Sequence, residues 1–195
     1  LAPVLTGGFA LIALIVFALL LRVASRTRQL RESRAAAQHL AFHDALTGLP
    51  NRVLFMDRLE RLMEYALRNP ELRFALLFLD LDRFKKINES FGHLGGDDVI
   101  SNLAVRLRRI SGRAEISRMS GDEFVFLVPE CNRFAAERFA CELADTIGEL
   151  INIGNLTLCP TASIGIAIHE VGENAFDLLE RADRAMHAAK NKGGN

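Results

Sequence analysis

Two acidic turns hold the residues of this 195-residue chain best suited to chemistry. In Arg118-Met-Ser-Gly-Asp-Glu-Phe-Val-Phe-Leu-Val128, the adjacent carboxylates Asp122 and Glu123 follow Ser120-Gly121 between two short apolar stretches. Asp80, with Asp82 two residues on, follows the run Leu72 to Leu79, apolar apart from Arg73. If the strands ending at Asp80 and Asp122 are neighbours, their carboxylates converge at one sheet edge, and converging hard oxygens select Mg²⁺ or Mn²⁺. Magnesium keeps several waters and shares its shell with substrate phosphates, so such a site implies a nucleotide or another phosphorylated partner. Lys85 and Lys190 can each set positive charge against a phosphoryl group. Taken singly these signals are weak: a strand-end Asp is more often a cap or turn former than a ligand. The stretch Gly92 to Gly96 is weaker still, because it lacks the Lys-Ser/Thr ending of a P-loop.

Positioning these residues requires an alternation of elements that the hydrophobic pattern supplies. After the turn-rich segment Asp44 to Arg52, an amphipathic helix carries Val53, Leu54, Leu59, Leu62, Met63, Ala66 and Leu67 and stops before Asn69-Pro70. Leu72 to Leu79 reads as a strand covered on both faces. A helical turn over Phe84 to Asn88, a loop over Gly92 to Gly96 and a helix from about Asp97 to Ile110 follow. The hairpin strands Ile116 to Met119 and Phe124 to Val128 come next, then a helix with the stripe Phe134, Phe139, Ala140, Leu143, Ala144 and Ile147. Strands near Leu156 to Leu158 and Ala162 to Ile168 precede a last helix from Phe176 to about Lys190. This order predicts an α/β (α+β) domain with a mixed sheet flanked by helices. Phe74, Phe78, Phe126 and Phe139 are expected in the core, and His39, His43, His169 and His187 as surface or packing residues.

The first 21 residues contain no charge and are apolar almost throughout from Phe9. At about 1.5 Å per residue they reach the roughly 30 Å of a bilayer core, which reads as a membrane helix. Arg22, Arg26, Arg28, Arg31 and Arg34 follow against one acid, Glu32, and mark the cytoplasmic side. A cleaved signal peptide is the competing reading, but its basic residues would precede the apolar core. Residues 22–43 read as a helical linker, either solvated or forming a weak dimer seam through Val23, Leu30 and Ala37. The expected organisation is therefore a transmembrane helix over 1–21, the linker over 22–43 and one domain over 44–195, held at the inner (cytoplasmic) membrane. The absence of Met at position 1 suggests a fragment of a longer protein. Lys+Arg and Asp+Glu are equal at 24 each, so no broad basic field recruits nucleic acid. Cys131, Cys141 and Cys159 lack metal-ligand spacing and read as packing residues in a reducing compartment.

Together, Asp44-Ala-Leu-Thr-Gly-Leu-Pro-Asn-Arg52, Phe78-Leu-Asp-Leu-Asp-Arg-Phe-Lys-Lys-Ile-Asn88, Phe91-Gly-His-Leu-Gly-Gly-Asp97, Arg118-Met-Ser-Gly-Asp-Glu-Phe124, Ser163-Ile-Gly165 and Ala182-Asp-Arg-Ala-Met-His-Ala-Ala-Lys190 resemble, in order and spacing, the GGDEF family of diguanylate cyclases. The resemblance implies a palm-like fold shared with nucleotidyl cyclases and polymerases. It implies a homodimer in which two GTP-loaded domains face each other and form cyclic di-GMP and pyrophosphate. By the same resemblance, Asp80, the Leu81 carbonyl and Asp122 bind Mg²⁺ or Mn²⁺, and Asp122 serves as proton acceptor with Glu123 assisting. Asn88 and Asp97 recognise the guanine edge beside His93, while Lys85 and Lys190 hold phosphate.

Three departures bear on that expectation. Ser120 replaces the first Gly of the signature turn, and Gly194 stands where many members carry an Arg that reaches phosphate. Ser111 and Ala114 replace the Arg and Asp of the family's inhibitory product site, so product inhibition through it is not expected. The alternative function is a GTP-binding module, weak or inactive in catalysis, that regulates an EAL-type phosphodiesterase following in a longer chain.

Overall fold

The computed structural model describes residues 19–20, 22, 25–29, 40–154 and 156–193. The helix expected over 1–21 and the linker over 22–43 lie largely outside the described residues, as does Gly194. Among the described residues, no helix is long and apolar enough to cross a membrane. The chain divides into two compact units, residues 1–41 and 42–195. In the first, residues 19–20, 22 and 25–29 are helical.

The second unit contains α1 (Arg52–Arg68), β1 (Phe74–Leu81), α2 (Phe84–Ile110), β2 (Glu115–Ser120), β3 (Glu123–Pro129), α3 (Arg133–Ile147), β4 (Ile151–Ile153), β5 (Leu156–Leu158), β6 (Ala162–Ile168) and α4 (Ala175–Asn191). Three of the helices begin at an Asn whose side chain accepts backbone N–H bonds: Asn51, Asn132 and Asn174. All eight residues of β1 are buried, and its side chains alternate between two cores. Ala75, Leu77, Leu79 and Leu81 meet Val99, Leu103 and Leu107 of α2 and Leu143 of α3. Phe74, Leu76 and Phe78 meet Phe55 and Leu59 of α1 and Leu178 and Met186 of α4. Asp80 continues the second set, toward α4.

The main sheet has the order β2-β3-β1-β6. Every pairing in it is antiparallel, whereas the element order suggests a mixed sheet. The reason is topological: the β2-β3 hairpin interposes β3 between β1 and the strand that the α2 crossover leads to, so no parallel pair is adjacent. Strand β4, absent from the sequence reading, pairs with β5 in a separate two-stranded ribbon.

Two further corrections follow from packing. Residues Phe84 to Ile110 form one helical run, interrupted only at Gly92, whose φ of 71° and ψ of 171° kink it, so the predicted loop over Gly92 to Gly96 reduces to one residue. Gly95 and Gly96 are buried helical positions. A Cβ on Gly96 would lie 1.9 Å from the Asn88 side-chain oxygen, so this glycine leaves room for that amide. The apolar stripes also shift: Val53 (58% exposed), Leu67 (67%) and Phe134 (73%) lie off the buried faces of their helices. Phe74, Phe78 and Phe126 are core, while Phe139 is half-buried and edge-on to Phe126. His169 is buried and stacks on Phe74 at 4.4 Å.

Candidate functional site

Register brings the two acidic turns together. Asp80 stands opposite Glu123 across β1 and β3, so Asp122 occupies the hairpin tip just beyond the end of β1. The Leu81 amide donates to the Asp122 carbonyl at 3.4 Å, tying the tip to that strand end. On the other side of β1, Asp80 pairs in register with Ser163, two residues before Gly165. A Cβ on Gly165 would lie 2.1 Å from the Ala182 carbonyl oxygen and 2.2 Å from the Met186 nitrogen, so the glycine lets α4 press against the sheet. One turn later Lys190 reaches Asp80, its Nζ 2.5 Å from Oδ1.

The electrostatics are unbalanced toward negative charge. Asp80 is only 7% exposed. Burial, and next the charge on Asp80, push the Asp122 carboxyl above its usual pKa, with Lys190 opposing. Burial works against the Lys190 ammonium, yet its hydrogen bond to Asp80 and the charges of Asp80, Asp122 and Asp82 hold its pKa above the usual lysine value. Asp82 is committed elsewhere: its two carboxylate oxygens accept from Thr161 Oγ1 at 2.8 Å and Ser163 Oγ at 2.7 Å.

An open cleft of about 750 Å³ adjoins the acids, lined by Leu81, Lys85, Asn88, His93, Asp122 and Lys190 among others. Six of the residues singled out from sequence thus share one cavity. Lys85 is extended into solvent, its side chain 90% exposed and 3.9 Å from Glu89. Asp97 lies one helical turn beyond His93, exposed and outside the cleft lining. Asp80 lies beneath, reached through Lys190. Glu123 points elsewhere: it lines a neighbouring cavity with Arg52, Met119 and Asp183, and accepts from Ser120 Oγ at 2.5 Å.

Two features escaped the sequence reading. Arg83, the cap of α2, adopts φ 58° and ψ 26° and offers no side-chain cap bond, and the first turn carries no acid. A left-handed conformation costs a residue with a Cβ roughly 1–2 kcal/mol. It lets the chain turn from β1 directly into a helix whose N-terminal dipole end opens beside the acids, suited to an anion. A strand-end acid followed at once by a helix without Ser, Thr, Asp or Asn at its cap was the available signal. The second is Arg118. Its guanidinium donates to the Gly121 carbonyl through Nε at 3.0 Å and Nη2 at 2.7 Å, and to Asp44 Oδ1 through Nη1 at 2.7 Å. Burial works upward on Asp44, but hydrogen bonds from Thr47 and Arg118 hold its pKa below the usual carboxylate value. This strut fixes the tip to the segment before α1. Gly121 supplies the positive φ of the turn, at 43°, whereas Ser120 is not among the positive-φ residues, so its Cβ adds no backbone strain.

Asp80 and Asp122 are hard oxygen donors with surplus negative charge, chemistry suited to Mg²⁺ or Mn²⁺, although among the described residues no three His, Cys, Asp or Glu side chains gather as a metal group.

Comparison with known proteins agrees. The family model described as diguanylate cyclase, GGDEF domain, matches residues 41–195. The bifunctional diguanylate cyclase/cyclic di-GMP phosphodiesterase MucR of Pseudomonas aeruginosa is 40% identical, over 98% of this chain and 29% of that protein. Diguanylate cyclase TpbB of the same species is 38% identical, over 89% of this chain and 40% of that protein. The chain therefore spans less than half the length of either relative. Among solved structures, the coiled coil and GGDEF domain of DgcB from Caulobacter crescentus, in complex with c-di-GMP, superposes with a TM-score of 0.84 at 28% identity, covering 92% of this chain and 96% of that one. Diguanylate cyclase SiaD of P. aeruginosa, in complex with its activator SiaC, gives 0.76 at 31% identity over 89% and 67% of the two chains. With residues 41–195 matched by the family model and the fold shared with solved GGDEF domains, the chain belongs to the GGDEF diguanylate cyclase family.

Proposed function

We propose that the domain condenses two molecules of GTP into cyclic di-GMP, acting as a homodimer in which each copy presents one nucleotide to the other. The carrying observation is that Asp122 and Lys190 line one open cleft beside the uncapped start of α2, with Lys190 holding the buried Asp80 at the adjoining strand end. In each half-reaction a GTP 3′-hydroxyl oxygen bonds to the α-phosphorus of the opposite GTP. The Pα–O bond to the β-phosphate breaks, pyrophosphate leaves and the hydroxyl proton passes to a base.

Asp80, Asp122 and the Leu81 carbonyl would hold Mg²⁺ or Mn²⁺, which when bound lowers the pKa of a coordinated hydroxyl and steadies the leaving oxygens. The chain's own groups do the rest. The N-terminus of α2 and Lys85 receive phosphate oxygens, and Lys190 offsets charge that grows toward the transition state. Asn88 offers the guanine edge both a donor and an acceptor, held in place by its close packing on Gly96. Asp97 and His93 stand one turn apart on the same helix, where an ionised Asp can accept from guanine N–H groups. Asp122 is the base this reading assigns; Glu123, turned toward Ser120 in this structure, would assist only after its side chain rotates toward Asp122. Ser111 and Ala114 offer no charge to a second product molecule, so product inhibition through that position is absent.

The same reading places residues 1–21 across the inner membrane, residues 22–43 as the linker and the domain in the cytoplasm. It rests on the uncharged apolar run and the arginines that follow it.

A second reading is a GTP-binding module that regulates an attached EAL-type phosphodiesterase. Ser120 and Gly194 favour it, as does the bifunctional relative, of which this chain covers 29%. One experiment separates the two: the chain is incubated with GTP and Mg²⁺ and the nucleotides are resolved by chromatography. Cyclic di-GMP formation that Asp122→Ala abolishes supports the cyclase. GTP binding without product supports the module.

A further inference from the structure

We infer that the Lys190 ammonium is a resident counter-ion for the Asp80–Asp122 acid pair, which it leaves when a divalent cation enters and which it exchanges for nucleotide phosphate. The inference rests on reading those acids as a cation site.

A carboxylate as buried as Asp80 is costly to keep ionised without a partner, and a second carboxylate at the neighbouring strand end adds to that cost. Lys190 supplies compensating charge, at 2.5 Å from Asp80 Oδ1. That position is incompatible with a divalent ion on the same oxygen. Magnesium binds oxygen at about 2.0–2.1 Å, so two cations would be held within a few ångströms of each other, where like charges repel strongly in a partly desolvated site.

The side chain is built to yield. Lys190 lies in the last turn of α4, is 38% exposed and ends a flexible four-carbon stem. It also lines the same cleft as Lys85, so the freed ammonium remains beside the space that phosphate would enter. Its backbone cannot follow, because α4 is pressed onto β6 at Gly165. The exchange therefore needs only rotation of the stem. The consequence is an ordered response in which the cation and the phosphate each favour the same displaced lysine, so each improves the site for the other.

The test uses the full 195-residue chain, as wild type and Lys190→Gln, with Mn²⁺ binding measured by calorimetry without nucleotide and thermal midpoints measured in EDTA. With its competitor removed, Lys190→Gln binds Mn²⁺ about tenfold more tightly than wild type. In EDTA the same variant melts roughly 3–6 °C lower, because Asp80 is left unpaired. Its affinity for a non-hydrolysable GTP analogue with Mn²⁺ falls. A lysine with a merely structural role would lower the midpoint and leave Mn²⁺ affinity unchanged, so equal or weaker Mn²⁺ binding by Lys190→Gln overturns the exchange. Wild type that binds no Mn²⁺ defeats the cation-site reading itself. A wild-type measurement covers the case in which the variant does not fold. Titration with Mg²⁺ moves the side-chain NMR resonances of Lys190 from an ion-paired to a mobile state, and resonances that stay fixed while Mg²⁺ binds overturn the proposal.

Discussion

The two ends of β1 handle charge in opposite ways. At the Phe74 end, Arg181 donates to Glu173 through Nε and Nη2 at 2.7 and 2.9 Å, to Glu170 at 2.7 Å and to the Ile168 carbonyl at 2.6 Å. Beside it the His169 ring lies flat on Phe74 and its amide donates to the Phe74 carbonyl. There, as at the other end, two acids face one cation, but the guanidinium spends its donors on both carboxylates and a carbonyl, with Glu173 covered and Glu170 at the surface. At the Asp80 end two acids face one lysine, a helix begins without a cap, Arg83 holds a strained conformation and a cleft stays open. A multiply bonded guanidinium makes a strut, while carboxylates beside open space with a single flexible ammonium make a site. The same sheet supports both because β1 is anchored along its whole length by β3 and β6.

The largest effect is expected at the Asp80 end, beside the open cleft. Asp122→Ala should reduce cyclic di-GMP formation by at least about 10²–10³-fold, measured chromatographically. Stability should move the other way. Because burial and Asp80 raise the Asp122 pKa in the folded chain, folding favours the protonated form. The penalty for ionising Asp122 is absent below the unfolded value near 3.9, grows as pH rises through it, and is complete above the raised folded value. Asp122→Asn should therefore raise the metal-free melting temperature at pH 7 and leave it unchanged at acid pH. A variant less stable than wild type at pH 7 would mean that the hairpin tip is a strut as well.

At the Arg181 end the outcome reverses. Arg181→Ala leaves two glutamates and a strand-end carbonyl without their donor, and should destabilise the domain by about 2–3 kcal/mol in urea titration. KM for GTP should stay near the wild-type value in the protein that remains folded. A selective rise in KM would show that the two ends communicate.

Gly165→Ala probes the link between them. Its methyl group would collide with the α4 backbone rather than with a flexible side chain, which should cost about 1–3 kcal/mol. Because α4 carries Lys190, nucleotide affinity should fall as well. Loss of stability with unchanged affinity would place the clash on the Leu178 side of the helix alone.

Much of this division was readable before any coordinates. The run Leu72 to Leu79, apolar apart from Arg73, reported a strand covered on both faces, and the acids at its end and at the Ser120-Gly121 turn carried the site. What stayed hidden depended on long-range pairing. Nothing local in Glu123 says that its carboxylate turns to Ser120 while Asp122 faces the cleft, because that follows from the pleat of β3 against β1. The glycines from Gly92 to Gly96 read as a loop because helix propensity counts against them. In fact only Gly92 breaks the helix, and Gly95 and Gly96 are there for packing on Phe91 and Asn88. The Arg118 strut joins residues far apart in the chain, so no periodicity could reveal it.

The smallest effect is expected at Ser120, the residue that departs most visibly from the family signature. A Cβ at this position would matter if the backbone were left-handed or if the side chain occupied the space that phosphate enters. Neither holds: Ser120 ends β2 with an ordinary φ, and its hydroxyl faces Glu123 on the cavity away from Lys85 and Lys190. Ser120→Gly removes one exposed hydrogen bond to a charged acceptor and adds backbone freedom to a turn that Arg118 already clamps. Together these should lower stability by about 1 kcal/mol and change kcat by less than about threefold. Steady-state kinetics of Ser120→Gly and Ser120→Ala side by side check this. A tenfold gain in kcat for the glycine variant alone would mean that the serine obstructs the turn and would favour the regulatory-module reading. Equal rates in all three would leave the carboxylates at the two strand ends, rather than the residue preceding Gly121, as the determinant of turnover.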